Sequence, residues 1–399
     1  MSDAEEKHGD AGATSLEQRP PLDDSNATMK RVQIKQACQK ADLQYLGRLA
    51  DSEGGLLDDG LRQLAWPVLL QCSGSSDGTN TDWKQLPAHR DEEQVEKDVN
   101  RAFVYYPSNE SPKVIDARKR VLSDLIVRVL RTHPMLCYFQ GFHDIVQVVL
   151  LVLGAEAAYS AIESISLFRI RDYMLPTMDP VKKHLALLPC ILYAADLELA
   201  KHLTLPNPLY ALPAALTLYA HQIEQYSDIA RLFDFILAHE PVMSIYLFAA
   251  IIMSRRAELL EFAPEEDEIL FAVLQKLPQP LNLEPLIARA LEVFQQFPPD
   301  RLPGRGWRGI SSSSVLKSTH PGQPLSVADA EKCFRKQAAE VQWEKRMQKA
   351  MQTALRNRLP ITAGAVALGL GVLSFYLRRS GHDQHLVSFA QYLLGMVRR

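Results

Sequence analysis

From Val32 to about Pro299, apolar residues recur at the three- and four-residue spacing of helices. Almost no segment alternates with the period of two that a half-buried strand needs. That regularity restricts the chain to folds built from packed helices before any motif is read. Val114 to Leu130 carries it most clearly. Val114, Val121, Leu122, Leu125, Val129 and Leu130 fall on one face, with Lys113, Arg118, Lys119, Asp124 and Arg128 off it. Ile34, Leu43, Leu46, Leu49, Leu61, Leu64 and Leu69 keep the same rhythm upstream. The run from Ile145 to Val152 is longer than an ordinary strand and lies among helical patterns, so it reads as buried helix. Pro107, Pro134, Pro176, Pro206, Pro241, Pro264 and Pro278 punctuate the stretch. The expectation is an all-α protein with one large helical domain over residues 30–300 and no repeat of fixed period.

The flanks differ in character. Residues 1–29 hold seven acids against Lys7 and Arg19 and read as a disordered acidic leader. Residues 301–327 are rich in Gly, Ser and Pro and read as a flexible linker, so the domain is expected to fold without the C-terminal third segment, 328–399. A basic helix is expected over 328–358. Leu359 to Leu377 then runs nineteen residues without a charge. As a helix it would span roughly 28 Å, the thickness of a bilayer core. Arg356 and Arg358 precede it, Arg378 and Arg379 come after it, and Tyr376 sits where interfacial aromatics do. It reads as a membrane span in preference to a buried core helix, with a short tail, 378–399, that holds an interfacial helical piece. Residues 335–399 carry eleven Lys and Arg against three acids, which suits an anionic lipid surface. The first residues, Met1-Ser2-Asp3-Ala4-Glu5-Glu6, offer neither a basic nor an apolar signal region. The helical domain is therefore expected to face the cytosol.

Several chemistries fail on inspection. A net charge of −3 over 399 residues excludes a globally basic nucleic-acid binder. The five cysteines form no Cys-x-x-Cys pair and no Cys/His cluster. Gly304-x-Gly306-x-x-Gly309 matches the dinucleotide fingerprint only literally, for no strand precedes it. His143-Asp144 leaves two readings. A helical metal phosphohydrolase would use it as a ligand pair, with His133, His184, His221 or Asp234 completing the site. The favoured alternative is a hydrogen-bonded pair at a helix start.

Three short segments remain: Leu61-Arg62-x-x-x-Trp66, Val95-x-x-Asp98-x-x-Arg101 and Tyr138-x-Gln140-Gly141. Each alone has an ordinary structural reading. Arg101 would pair with Asp98 at the surface, Gln140 would be a polar group at a helix start, and Trp66 would be core. In this order they resemble the TBC domain, the all-helical GTPase-activating domain for Rab GTPases, over roughly residues 50–300. Val95 stands in place of Ile, Tyr219 where many members have Trp, and Phe142-His143-Asp144 in place of the commoner Met-Asn. Arg231-Leu232-Phe233-Asp234-Phe235 is similar to the family's late arginine/aspartate segment. Glu53 to Leu57 and Phe294-x-x-Phe297-Pro298-Pro299 resemble a subfamily anchored in the endoplasmic reticulum by a C-terminal span. That subfamily acts on Rab proteins of the ER-to-Golgi step.

The resemblance implies that Arg101 and Gln140 act in trans as an arginine finger and a glutamine finger. It implies that Asp98 holds Arg101 in register, that Tyr138 and Gly141 shape the backbone presenting Gln140, and that Arg62, Trp66, Tyr219 and Arg231 are scaffold. The partner is then a GTP-bound Rab. The protein has no cofactor or metal of its own, since GTP and magnesium belong to the Rab, and a membrane is engaged through 359–377. A catalytically silent, membrane-bound Rab-binding scaffold is the other class the motifs allow.

Overall fold

The computed structural model describes residues 24–72, 82–108, 110–323 and 326–356, with a few helical residues between 368 and 379. All regular structure among the described residues is helical. The chain divides into two compact units, Met1–Ala338 and Ala339–Arg399.

Helix starts in the first unit obey local chemistry. After α1 (Asp24–Gln39), α2 (Leu43–Asp51) begins where the Asp42 carboxylate accepts the Tyr45 N–H at 2.9 Å. Likewise α3 (Asp59–Leu69) begins where Asp58 accepts the Leu61 N–H at 3.1 Å. Leu61, Arg62, Ala65, Trp66 and Leu69 make its buried face. The short α4 (Glu92–Val99) buries Val95, Asp98 and Val99. α5 (Pro112–Thr132) opens on a proline, whose missing N–H costs nothing in the first turn. Its buried face runs through Leu122, Leu125, Ile126, Val129 and Leu130. Val114, expected on that face, is exposed because it lies in the first turn, ahead of the stretch that meets the core.

α6 (Phe142–Phe168) is long and apolar enough to cross a membrane by composition alone, yet most of it is buried inside protein. It packs on α3 and α5 and bends sharply at Gly154. Two further helices, Tyr226–Ala238 and Met243–Ser254, are buried almost all round and complete the core.

The segment expected as a flexible linker is instead packed against the domain. Ile310, Val315 and Leu316 are buried. Arg171 donates to the Ser313 carbonyl at 2.6 Å, and the Val315 N–H donates to Asp172 Oδ1 at 3.1 Å. His184 Nε2 lies 2.8 Å from Asp172 Oδ2 and 3.1 Å from Ser314 Oγ. Gly306 serves close contact. A Cβ at Gly306 would stand 3.2 Å from Cys190 Sγ and 3.4 Å from the Ala186 carbonyl. The first unit thus continues through Ala338, well past residue 300.

The basic helix is present as Val327–Arg356. In its C-terminal half Trp343, Met347 and Met351 are exposed at four-residue intervals, as is Leu355. Most of the proposed span, 359–377, lies outside the described residues; Leu368, Val372, Phe375 and Tyr376 within it are helical and exposed. The leader, 1–23, and the tail, 380–399, also lie outside them.

Candidate functional site

Asp98 organises one face of the domain. It is fully buried near the end of α4 and takes three donors: Arg101 Nη2 at 2.6 Å, Gln94 Nε2 at 3.0 Å and the Tyr138 hydroxyl at 2.9 Å. A buried carboxylate needs such partners, since an unpaired one costs several kcal/mol, on the order of 3–5 when a partner is removed. Arg101 itself lies just past α4, in a turn closed by its own N–H to the Asp98 carbonyl at 3.0 Å. Its side chain is 65% exposed. The guanidinium is therefore held from behind while its other donors face solvent. Such a pair is well suited to presenting an oriented cation.

Tyr138 ties a second segment to the same helix. Its N–H donates to Asp91 Oδ2 at 2.9 Å, at the start of α4, while its hydroxyl donates to Asp98 near the other end. Burial, then the Asp98 charge, push the phenol well above its ordinary range, so it stays protonated and remains a donor. Two residues on, Gln140 is exposed and enters a turn closed by the Phe142 N–H on the Phe139 carbonyl at 3.1 Å. Gly141 has φ 104°, and a Cβ there would stand 2.6 Å from Thr217 Cγ2. Conformation and space both require glycine. The structure thus brings Arg101, Asp98 and Tyr138 into one hydrogen-bonded set, with Gln140 and Gly141 on the adjoining turn.

Two loops that carry no sequence motif support this face. After Arg101, the Phe103 N–H donates to Gln147 Oε1 at 2.8 Å, and Gln147 Nε2 donates to the Tyr106 carbonyl at 3.3 Å. The Tyr106 hydroxyl donates to the Ala220 carbonyl at 3.2 Å. Val104 and Tyr105 in this loop stand exposed. On the other side, Thr217 abuts Gly141, and Leu218 and Tyr219 both adopt left-handed backbone, with φ 47° and 70°. The Tyr219 hydroxyl donates to the Ser244 carbonyl at 2.7 Å. One turn, Thr217 to His221, therefore braces both the Arg101 loop and the Gln140 turn.

Arg62, Trp66 and Arg231 lie elsewhere, in the core. Asp234 accepts from Arg62 Nε at 3.0 Å, Trp66 Nε1 at 2.8 Å and the Leu56 N–H at 2.9 Å. Arg231 donates to both Glu284 oxygens at 2.8 Å and to the Ala50 carbonyl at 2.9 Å. Asp234, weighed as a metal ligand, is thus committed to the scaffold. His133 faces Glu163 at 2.9 Å and His184 faces Asp172 at 2.8 Å, so each has a carboxylate partner other than Asp144. Among the described residues no group of three or more His, Cys, Asp or Glu side chains could hold a metal ion. His143 and Asp144 do open α6, but with partners of their own. His143 Nδ1 lies 3.2 Å from the Tyr138 hydroxyl, and Asp144 Oδ2 lies 3.0 Å from His221 Nδ1.

Comparison with known families matches residues 59–260 to the family described as Rab-GTPase-TBC domain. Among curated proteins, human TBC1 domain family member 20 is 34% identical over 301 residues, covering 74% of this chain and 73% of that protein. The fission-yeast GTPase-activating protein gyp10 is 29% identical over 369 residues, covering 88% of this chain and 98% of its own length. Among solved structures, a Chlamydomonas flagellar RabGAP TBC domain superposes with a TM-score of 0.50 at 15% identity, covering 67% of this chain and 91% of that one. The last of these speaks to the fold alone.

Proposed function

The chain belongs to the Rab-GTPase-TBC domain family, and from that premise we propose that it accelerates GTP hydrolysis on a Rab of ER-to-Golgi transport by inserting Arg101 and Gln140 into the Rab's active site. GTP hydrolysis spreads negative charge over phosphoryl oxygens, so a guanidinium delivered from outside stabilises the transition state, and a carboxamide orients the attacking water. The observation that carries this reading is the pairing itself. Arg101 is exposed yet held by a fully buried Asp98, and Tyr138 links that carboxylate to the turn on which Gln140 stands exposed. GTP and magnesium come with the Rab, and only the two side chains come from this protein.

The membrane reading extends the proposal. The uncharged run 359–377 spans the endoplasmic reticulum membrane once, and the domain faces the cytosol. The exposed row Trp343, Met347, Met351 and Leu355, interspersed with Lys345, Arg346 and Lys349, supports an apolar, cationic approach to an anionic bilayer. The test of function is a panel of GTP-loaded Rabs, each monitored for phosphate release with and without the chain. Acceleration of a small set that includes ER-to-Golgi Rabs is expected. Binding without acceleration of any member would leave the silent scaffold as the better account.

A further inference from the structure

Behind Arg101 a row of hydrogen bonds, with one charge contact between His143 and Asp144, continues further than catalysis in trans requires. Arg101 pairs with Asp98 at 2.6 Å, and Asp98 accepts the Tyr138 hydroxyl at 2.9 Å. The same hydroxyl lies 3.2 Å from His143 Nδ1, His143 Nε2 lies 3.3 Å from Asp144 Oδ1, and Asp144 Oδ2 lies 3.0 Å from His221 Nδ1. The row joins α4, the Gln140 turn, the start of α6 and the Thr217–His221 turn.

Proton counting constrains the middle of that row. A phenol has one proton, and Asp98, as a carboxylate, can only accept. If Tyr138 donates to Asp98, His143 must present an N–H to the Tyr138 oxygen. A neutral ring with its proton on Nδ1 then leaves an uncharged Nε2 3.3 Å from the Asp144 carboxylate. The other neutral tautomer faces Tyr138 with a lone pair and draws the phenol proton away from Asp98. Only the imidazolium offers Tyr138 an N–H and at the same time sets a positive charge 3.3 Å from the Asp144 carboxylate.

We infer that His143 is a positioning residue for Arg101: its protonated ring commits the Tyr138 hydroxyl to Asp98 and so fixes the seat of the guanidinium. This rests on the proposed function above. The groups facing His143 are Asp144 on its own helix, Asp98 from α4, Arg101 just past it, Tyr138 from the preceding turn and His221 from the bracing turn, with the Tyr106 hydroxyl near Asp144. Burial lowers the His143 pKa below the usual imidazole range, and Asp144 and Asp98 oppose that. The hydrogen bond that His221 donates to Asp144 raises the His221 pKa. On acidification His221 therefore charges first and His143 last, and the His221 cation holds His143 down.

The experiment uses the full chain and one responsive GTP-loaded Rab, with hydrolysis measured at saturating chain from pH 5.5 to 8. Rates are expressed relative to His143→Asn, an amide donor that does not titrate, so the Rab's own pH dependence cancels. The expected ratio rises as pH falls through the His143 pKa, and His221→Gln moves that inflection upward. His143→Leu lowers kcat roughly 10-fold with KM unchanged, as a misplaced catalytic group does. In parallel, the His143 ring titration is read by NMR without any Rab, and Tyr138→Phe or Asp144→Asn should lower its pKa. A flat ratio, or a His143 titration indifferent to Tyr138→Phe and Asp144→Asn, overturns the inference. Arg101→Ala in the same assay separates the two levels: full stimulation by that variant defeats the proposed function, while its loss with a flat His143 ratio defeats only the positioning role.

Discussion

Gly141 shows how tightly single residues are specified on the candidate face. A side chain there must adopt φ near 104° and stand 2.6 Å from Thr217 Cγ2. Gly141→Ala is therefore expected to cost about 1–3 kcal/mol of stability and to displace Gln140, lowering stimulation more than unfolding alone explains. Urea unfolding alongside the hydrolysis assay checks both. Arg101→Ala offers the contrast: its side chain lies mostly in solvent and Asp98 keeps the Gln94 and Tyr138 donors, so the loss should be about 1.5–3 kcal/mol, that of one hydrogen bond to a charged group. Asp234→Ala should be more damaging, on the order of 3–5 kcal/mol, because it strips the acceptor from Arg62 Nε and Nη2 and from the Trp66 N–H, all buried. At this scale the sequence is readable where a residue type has one common reason to be present. Gly141 before an apolar helix signals a positive-φ turn. Thr217 signals nothing, because its role depends on a neighbour that the fold, not the chain, brings close.

Among the elements, those with one buried face declare themselves by periodicity, as α5 does from Leu122 to Leu130. The Arg301 to Pro324 segment shows where that logic fails. Gly, Ser and Pro read as linker because such residues seldom bury apolar area. Here Gly306 allows close approach to Cys190, and Ser314 and the Val315 N–H satisfy Asp172 and His184. The buried surface is spread over partners more than a hundred residues away, which leaves no local pattern to read. A chain ending at residue 300 should therefore be less stable than one ending at 338. Losing the hydrogen bonds to Asp172 and Arg171, at about 1.5–3 kcal/mol each for charged partners, predicts a difference of several kcal/mol in urea unfolding. Equal midpoints would show that 301–338 merely rests on the surface. The Thr217–His221 turn was hidden for a related reason: its left-handed residues are Leu218 and Tyr219, not glycines, and tertiary contacts impose their conformation.

At the scale of the whole molecule, the candidate face on Met1–Ala338 is joined in sequence to a basic, apolar region in Ala339–Arg399. If the run 359–377 crosses the bilayer, carbonate should fail to extract the chain, and protease added to intact membranes should digest the helical domain. Extraction into the soluble fraction would remove the span, and protection of the domain would reverse its orientation. The central claim is catalysis in trans by Arg101, and single-turnover hydrolysis on the responsive Rab tests it most directly. Arg101→Ala should lower the stimulated rate by roughly 10³-fold or more, with Arg101→Lys recovering little because an ammonium lacks the planar array of donors. Near-normal stimulation by a folded Arg101→Ala chain would contradict the account.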